Sequence, residues 1–414
     1  MSELYCDDDY DYEESVSTAT HIDVSGIYIE SPIDTEYNLQ YVDNIILDKI
    51  NQEYTKNTEN KDADVPDTVI SSAASASASA SAPASAPAPD VDDNELNVKH
   101  LVISAGGPAG GIIFGALGYL HRNNKWNINK IKSIYSCSVG SVLSILVSLK
   151  YDWDTLDDFM MKRPWSKIFS QSSPSSAISS YTPSYVYDMK YKFDAFMKIQ
   201  SNKGIYGIKE FKESFRPAFE GKDYDTNMTM LEFYNATGIE HHFYTTELNK
   251  FESIDLSYKT YPNLPIIEAC YMSCTYPIIF QPIIRNGCAY VDGALINDYP
   301  IDNCIRDQKC DINEIFGFKM LWETKPINIS EKTSFIKFMT LFVNQIKTNF
   351  YDCRKTTPIP NEVLCMSKEQ SFDDWKNIIN DENYRRELLS RGVMYAKMFL
   401  SYRNNHIPQQ QQQQ

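Results

Sequence analysis

Two stretches constrain this chain most. Residues 99–122 read KHLVISAGGPAGGIIFGALGYLHR and residues 131–150 read IKSIYSCSVGSVLSILVSLK. Each opens on a short β-branched run, passes through a knot of small residues, and continues as an apolar run of helical length. A strand that feeds straight into a helix, twice in succession, buries both helices only if the strands lie parallel in one sheet. The expected fold class is therefore α/β, a mostly parallel central sheet flanked by helices in three layers. The first helix carries Gly110, Gly111, Gly115 and Gly118, each worth about 1 kcal/mol of lost propensity relative to Ala. Four such penalties imply that another element approaches its backbone closely. The second helix has Val139, Val142, Leu143 and Leu146 on one face, widened by Ile145 and Leu149, so it is buried nearly all round. Strand candidates HHFYTTEL, CAYVDG and IFGFKML and helix candidates LPIIEACYMS, SFIKFMTLFVNQIKTN and YRRELLSRGVMYAKMFL continue the alternation.

Charge divides the 414 residues unevenly. Residues 1–97 hold 22 acidic residues against three lysines, whereas the whole chain is only −16, so residues 98–414 are close to neutral at about +3. A body without a strong basic patch does not suit nucleic acid, and it meets an anionic lipid surface without repulsion. Residues 71–90 are an Ala/Ser/Pro repeat with no apolar side chains to offset ordering entropy, which reads as a flexible linker. The expected organisation is a largely disordered acidic region over 1–97, a chemistry-bearing domain over 98–305, an α/β continuation packed on it over 306–402, and a disordered Gln-rich tail over 403–414. One weak helical candidate, NLQYVDNIILDKINQEY, lies in the acidic region. No signal peptide and no run of about 18 apolar residues appears, which points to a cytoplasmic protein with peripheral membrane association at most. Nine cysteines without a short framework are expected as thiols. Cys270 with Cys274, or Cys304 with Cys310, would need a nearby histidine to make a zinc site and has none in sequence. No metal or cofactor is expected.

Three stretches carry chemistry. ISAGGPAGG (103–111) runs from a strand into a glycine-rich turn at a helix start, where the N–H groups of Gly106 and Gly107, unencumbered by side chains, suit an anionic oxygen. It lacks the Gly-Lys-Ser/Thr of a phosphate loop and the spacing of a dinucleotide fingerprint. SCSVGS (136–141) fits a strand-to-helix elbow in which a strained Ser138 needs small neighbours two residues away, here Ser136 and Gly140. The helix start behind it favours negative charge at that point. YVDGALINDYPI (290–301) places Asp292 at a strand end. Histidines are poorly placed for a triad: His21 and His406 lie near the termini, His100 and His121 at element ends, and His241 and His242 alternate along one strand. Asp292 is the better-placed base. Alone, each motif also fits a plain packing corner or turn.

Together, in this order, the motifs resemble those of the patatin-like phospholipase family over residues 99–305. The family's glycine-rich loop is similar to Ser104-Ala105-Gly106-Gly107-Pro108-Ala109-Gly110, its elbow to Ser136-Cys137-Ser138-Val139-Gly140, and its Asp-Gly turn to Asp292-Gly293-Ala294 with Asn297 and Pro300 downstream. MLEFYNATGIEHHFYTTELN and LPIIEACYMSCTYPIIFQPI also look like family segments. The resemblance implies a phospholipase A type of lipid acyl hydrolysis by a Ser–Asp dyad. Ser138 would be the nucleophile and Asp292 the proton acceptor, with the Gly106–Gly107 turn as oxyanion hole and neither metal nor cofactor. It implies a phospholipid or other acyl-lipid substrate met at a membrane surface. Burial beside Ser138 is expected to raise the basicity of Asp292. Ala105 and Ser136 replace family glycines and Ala109 replaces a basic residue. An alanine methyl at 105 would crowd the loop if that position required positive φ. The alternative is a catalytically impaired lipid-binding or interaction protein on the same fold. Residues 163–187, with Trp165, Ile168 and Phe169 close together, are expected to form a lid or membrane contact.

Overall fold

The computed structural model describes residues 95–170, 197–323, 329–352, 356–368 and 371–406. The acidic region before residue 95, its linker and its helical candidate, and the glutamine tail lie outside these residues. The sheet is built as the alternation requires. β1 (His100–Ile103) leads to α1 (Gly110–Arg122), and β2 (Ser133–Cys137) leads to α2 (Val139–Ser148). The two strands pair in parallel, Leu101 opposite Ile134. Next come α3 (Trp153–Lys162), α4 (Trp165–Ser170), β3 (Gly204–Tyr206), α5 (Ile208–Glu220) and α6 (Met230–Thr237). Side chains start several of these helices. The Asp152 carboxylate accepts the Thr155 N–H at 2.8 Å before α3, and Thr229 and Glu232 cap α6 reciprocally.

Residues 238–323 supply β4 (Glu240–Glu247), β5 (Glu252–Leu256), α7 (Ile266–Cys274), β6 (Ile278–Phe280), β7 (Ile283–Arg285), β8 (Cys288–Asp292), α8 (Ile301–Gln308) and β9 (Ile315–Glu323). The chain then forms α9 (Phe335–Asp352), β10 (Glu362–Lys368), α10 (Phe372–Asn380) and α11 (Glu382–His406). The main sheet runs β10-β9-β1-β2-β4-β8-β7, with β5 also on β4, and β3 pairs β6 separately. Five consecutive strands, β10, β9, β1, β2 and β4, are parallel, while β5, β8 and β7 join antiparallel. The sheet is therefore mixed, as an α/β layer closed by hairpins on one side. The region after residue 305 joins the same sheet through β9, whose Phe316 lies opposite Leu101. The last helix continues through residues 403–406, which the sequence reading assigned to the tail.

Alternate residues of the strands enter two apolar clusters. Leu101, Ile103 and Ile134 face one that also holds α1, α2 and α11. Val102, Tyr135 and Cys137 face the other, covered by Ile301 and Cys304 of α8. The glycines of α1 have a specific cause. A Cβ on Gly115 would sit 2.2 Å from the Leu389 carbonyl oxygen of α11, and one on Gly392 would sit 2.0 Å from the Ile112 oxygen. The two helices cross with almost no side chain between their backbones, and only glycine on both permits it.

Candidate active site

β4 brings the chemistry together. On one edge it pairs β2 up to Cys137 opposite Tyr244. The next β4 residue, Thr245, lies opposite Asp292 at the end of β8. Because β5 occupies the other edge of β4 along residues 243–247, β8 must take the edge that β2 has just vacated. The two strands run toward each other along one ruler, and their ends meet.

Ser138 sits at the tip of β2 with φ 53° and ψ −127°, and it is 4% exposed. A non-glycine residue held there stores about 1–3 kcal/mol of strain, so the surroundings must enforce it. The Ser138 N–H donates to Ser273 Oγ at 2.8 Å. That hydroxyl in turn donates to the Tyr244 carbonyl at 2.6 Å and lies 3.1 Å from Ser141 Oγ. Gly140 is small for a reason: a Cβ there would lie 2.5 Å from the Ile103 carbonyl oxygen and 2.7 Å from that of Ser104. Ser136, fully buried, fits where the family has glycine because its hydroxyl turns toward Ser141 Oγ at 3.3 Å.

The Ser138 hydroxyl donates to Asp292 Oδ2 at 2.7 Å. Asp292 is 1% exposed, and its Oδ1 accepts the Ala294 N–H at 2.8 Å. Its own N–H donates to the Thr275 carbonyl at 2.9 Å, and Thr246 Oγ1 donates to its carbonyl at 3.0 Å. The end of α7 thus holds both strand tips, through Ser273 and Thr275. Gly293 admits no side chain, since a Cβ would lie 2.0 Å from the Tyr244 oxygen.

The glycine-rich turn lies against the residue after Ser138. A Cβ on Gly106 would meet Val139 Cγ1 at 3.3 Å, and one on Gly110 would meet Val139 Cγ2 at 2.4 Å. Gly107 has φ 47° and opens a 3-10 turn through Pro108 to Ala109, so its N–H has no acceptor within the turn. Ala105 is not among the positive-φ residues, and its N–H donates to the Asp298 carbonyl at 2.8 Å. The crowding expected of an alanine at 105 does not arise, because the left-handed position of the loop falls two residues later on a glycine. All three motif stretches are brought together.

The histidines are engaged elsewhere. His100 Nδ1 bonds Ser133 Oγ at 2.7 Å. His121 lies against the rings of Trp126 and Trp153. His241 Nε2 bonds Ser148 Oγ at 3.0 Å, and burial pushes its pKa down to about 4. His242 stacks on Tyr135 with ring centroids 4.0 Å apart, between the carboxylates of Glu240 and Asp255. Sequence reasoning missed Ser273, Thr275 and Asp298. The only trace of Ser273 is a lone serine in the otherwise largely apolar run ACYMSC.

An apolar cavity of about 170 Å3 opens one helical turn along α2 from Ser138, at Val142. Leu146, Phe215, Phe280, Trp375 and Leu389 are among its walls. Trp165 and Phe169, from the segment expected to form a lid, also line it, and Trp165 Nε1 donates to the Met160 carbonyl at 3.0 Å. Residues 171–187 of that segment lie outside the described residues. A larger cavity, about 500 Å3, lies at the opposite ends of α1 and α2 around His121 and Lys150, away from Ser138. Among the described residues no group of three or more metal-ligating side chains forms a cluster, and no helix is long and apolar enough to cross a membrane.

The layered sheet defines the class, an α/β protein, and at a strand-to-helix turn it holds a positive-φ serine on a buried carboxylate. Residues 101–305 match a model of the family described as patatin-like phospholipase. Residues 101–305 thus carry a patatin-like phospholipase domain. Among curated proteins it is similar to a probable lipid hydrolase of Invertebrate iridescent virus 6, at 24% identity over 260 residues, 59% of this chain and 78% of that one. It is also similar to an uncharacterised protein of Acanthamoeba polyphaga mimivirus, at 27% identity over 208 residues, 50% of this chain and 62% of that one. Among solved structures, VipD from Legionella pneumophila matches with a TM-score of 0.42 at 16% identity, covering 74% of this chain and 67% of that one.

Proposed function

We propose that the protein hydrolyses an acyl ester bond of a phospholipid or related acyl lipid, with Ser138 as nucleophile and Asp292 as proton acceptor. The observation that carries this reading is the 2.7 Å contact between Ser138 Oγ and Asp292 Oδ2 at a positive-φ elbow. Asp292 takes the hydroxyl proton as Oγ attacks the ester carbonyl carbon. The oxygen that becomes negative faces the start of α2 and the Gly106–Gly107 turn packed on Val139, where backbone donors stabilise it. The tetrahedral adduct collapses, the C–O bond to the alcohol breaks, and Asp292 returns the proton to the departing lyso-lipid oxygen. Water, deprotonated by the same carboxylate, then cleaves the acyl-serine and releases the fatty acid. The apolar cavity beginning at Val142 suits the acyl chain.

The test is hydrolysis of phospholipid and of a soluble nitrophenyl ester by the full chain. Ser138→Ala and Asp292→Asn should each lower kcat by about a thousandfold or more with unchanged thermal unfolding. Asparagine keeps an oxygen for the Ala294 N–H but offers no base. A Ser138→Ala enzyme with wild-type turnover would end the mechanism. Lipid binding without turnover in the wild type would favour the impaired, lipid-binding reading.

A further inference from the structure

α9 sits directly behind the candidate site and turns an aromatic stripe to solvent. Its inner side packs on the Gly293–Leu295 turn that follows Asp292, buries Val343 in the core and accepts the Tyr276 hydroxyl on Asn344 Oδ1 at 2.7 Å. Tyr276 in turn contacts Trp375, a wall of the apolar cavity, with ring centroids 5.9 Å apart. The same helix therefore adjoins both the carboxylate turn and the cavity wall. On its outer side Phe335 is 63% exposed, Phe338 43% and Phe342 51%. At 3.6 residues per turn these three positions fall within an arc of about 60°. Ile329, just before the helix, is 51% exposed. Lysines 332 and 337 are exposed beside them.

Three half-exposed phenylalanines in one arc form a patch that a water-facing helix surface rarely keeps without use. They present on the order of 300 Å2 of ring surface, taking about 200 Å2 per phenylalanine. Aromatic side chains with flanking lysines are the chemistry of a helix that lies in the head-group boundary of a bilayer. We infer that α9 is the membrane-docking element of this protein, seating Phe335, Phe338 and Phe342 in the surface of an anionic phospholipid bilayer. Its position then carries a lipid from that surface to the Asp292 turn and the cavity without crossing water. This rests on the acyl-hydrolase reading for the use of the docking, although the docking itself is measurable without turnover. It also moves the membrane contact from the 163–187 segment, whose Trp165 and Phe169 line the cavity, to a different helix.

The experiment compares the full chain with the triple variant Phe335→Ser, Phe338→Ser, Phe342→Ser, and with Leu231→Ser as a control for a comparably exposed apolar residue on α6. Co-sedimentation with vesicles of phosphatidylcholine and phosphatidylserine should show at least a tenfold lower partition coefficient for the triple variant and no change for the control. Turnover of a soluble, monomeric short-chain ester and the thermal midpoint should match wild type within twofold and within a degree or two. Lys332→Glu with Lys337→Glu should weaken binding to the anionic vesicles alone. Wild-type partitioning by the triple variant would overturn the docking role. So would a wild-type dimer that the triple variant dissolves, since the stripe would then be covered by a second copy. Loss of soluble-ester turnover in the wild type would instead strike the acyl-hydrolase reading and leave the vesicle measurement standing.

Discussion

Ser273→Ala tests whether the elbow is held from behind. Ser273 Oγ is the acceptor for the Ser138 N–H at 2.8 Å, and it is anchored by its own bond to the Tyr244 carbonyl at 2.6 Å. Both residues are buried, with Ser138 4% exposed and Ser273 fully covered. Alanine leaves the N–H of a strained residue without its acceptor, and an unmet buried donor is worth about 1–3 kcal/mol. The backbone conformation at φ 53° already stores a comparable amount. The loss therefore falls on the conformation that aims Oγ at Asp292, and relaxation of the elbow competes with it. If about 1.4–2.8 kcal/mol of that bias disappears, kcat falls roughly 10- to 100-fold. KM for a soluble ester should stay within twofold, because Ser273 lies beneath the elbow and away from the acyl cavity walls. The assay is steady-state hydrolysis of a nitrophenyl ester, with the rate of fluorophosphonate labelling of Ser138 as a second readout and thermal unfolding as the stability control. A variant with a lower melting point but unchanged kcat and labelling rate would refute the argument and leave Ser273 a plain core residue.

Gly115→Ala sets two effects of opposite sign against each other. Alanine gains about 1 kcal/mol of helix propensity, but its Cβ would lie 2.2 Å from the Leu389 oxygen, and such overpacking costs on the order of 3 kcal/mol. Denaturant titration should show net destabilisation, and a more stable variant would contradict the close crossing. Val142→Phe narrows the cavity one turn from Ser138 and should lower kcat/KM for a dodecanoyl ester about tenfold relative to a butyryl ester, whereas an unchanged chain-length profile would place the acyl chain elsewhere. His242 reports through pH. Burial works against its charge, but the hydrogen bonds and charges of Asp255 and Glu240 outweigh it, so its pKa is raised from 6.5 to about 9. A raised folded-state value means stabilisation fully present below pH 6.5 and lost as pH climbs through 9. Unfolding free energy measured from pH 6 to 10 should decline by a few kcal/mol in the wild type. The decline should flatten in His242→Gln, and equal slopes would refute the pairing.

The alternation of strands and helices made the α/β architecture legible, because a βα unit repeated without a long connection has one compact solution. The tight strand-to-helix turn was legible too, from small residues at 136 and 140 around a serine, and the structure supplies the backbone carbonyls that demand glycine at 140. The glycines of α1 announced a close approach, but nothing local named α11 as the partner, since that contact spans the whole domain. The poorly placed histidines already pointed to Asp292 as the partner of Ser138, and the family resemblance specified the pair. Periodicity cannot reveal that β8 succeeds β2 on one edge of β4, because strand order is not a local property. β10 was overlooked, though its residues from Glu362 to Ser367 are all buried; a strand covered on both faces has no alternating pattern to find. The concern over Ala105 failed for a similar reason, because which loop residue takes positive φ is decided by the turn that follows.

The nose-to-nose meeting of β2 and β8 has a bearing on biosynthesis. Neither tip can find the other until the middle strand is seated, since the spacing between them is set by successive residues of that strand, Tyr244 and Thr245. A nascent chain that has made only the first βαβ unit holds the Ser138 hydroxyl without its carboxylate partner, which emerges from the ribosome more than 150 residues later. Under the hydrolysis proposed above, an unfinished polypeptide is thus disarmed toward acyl lipids around it.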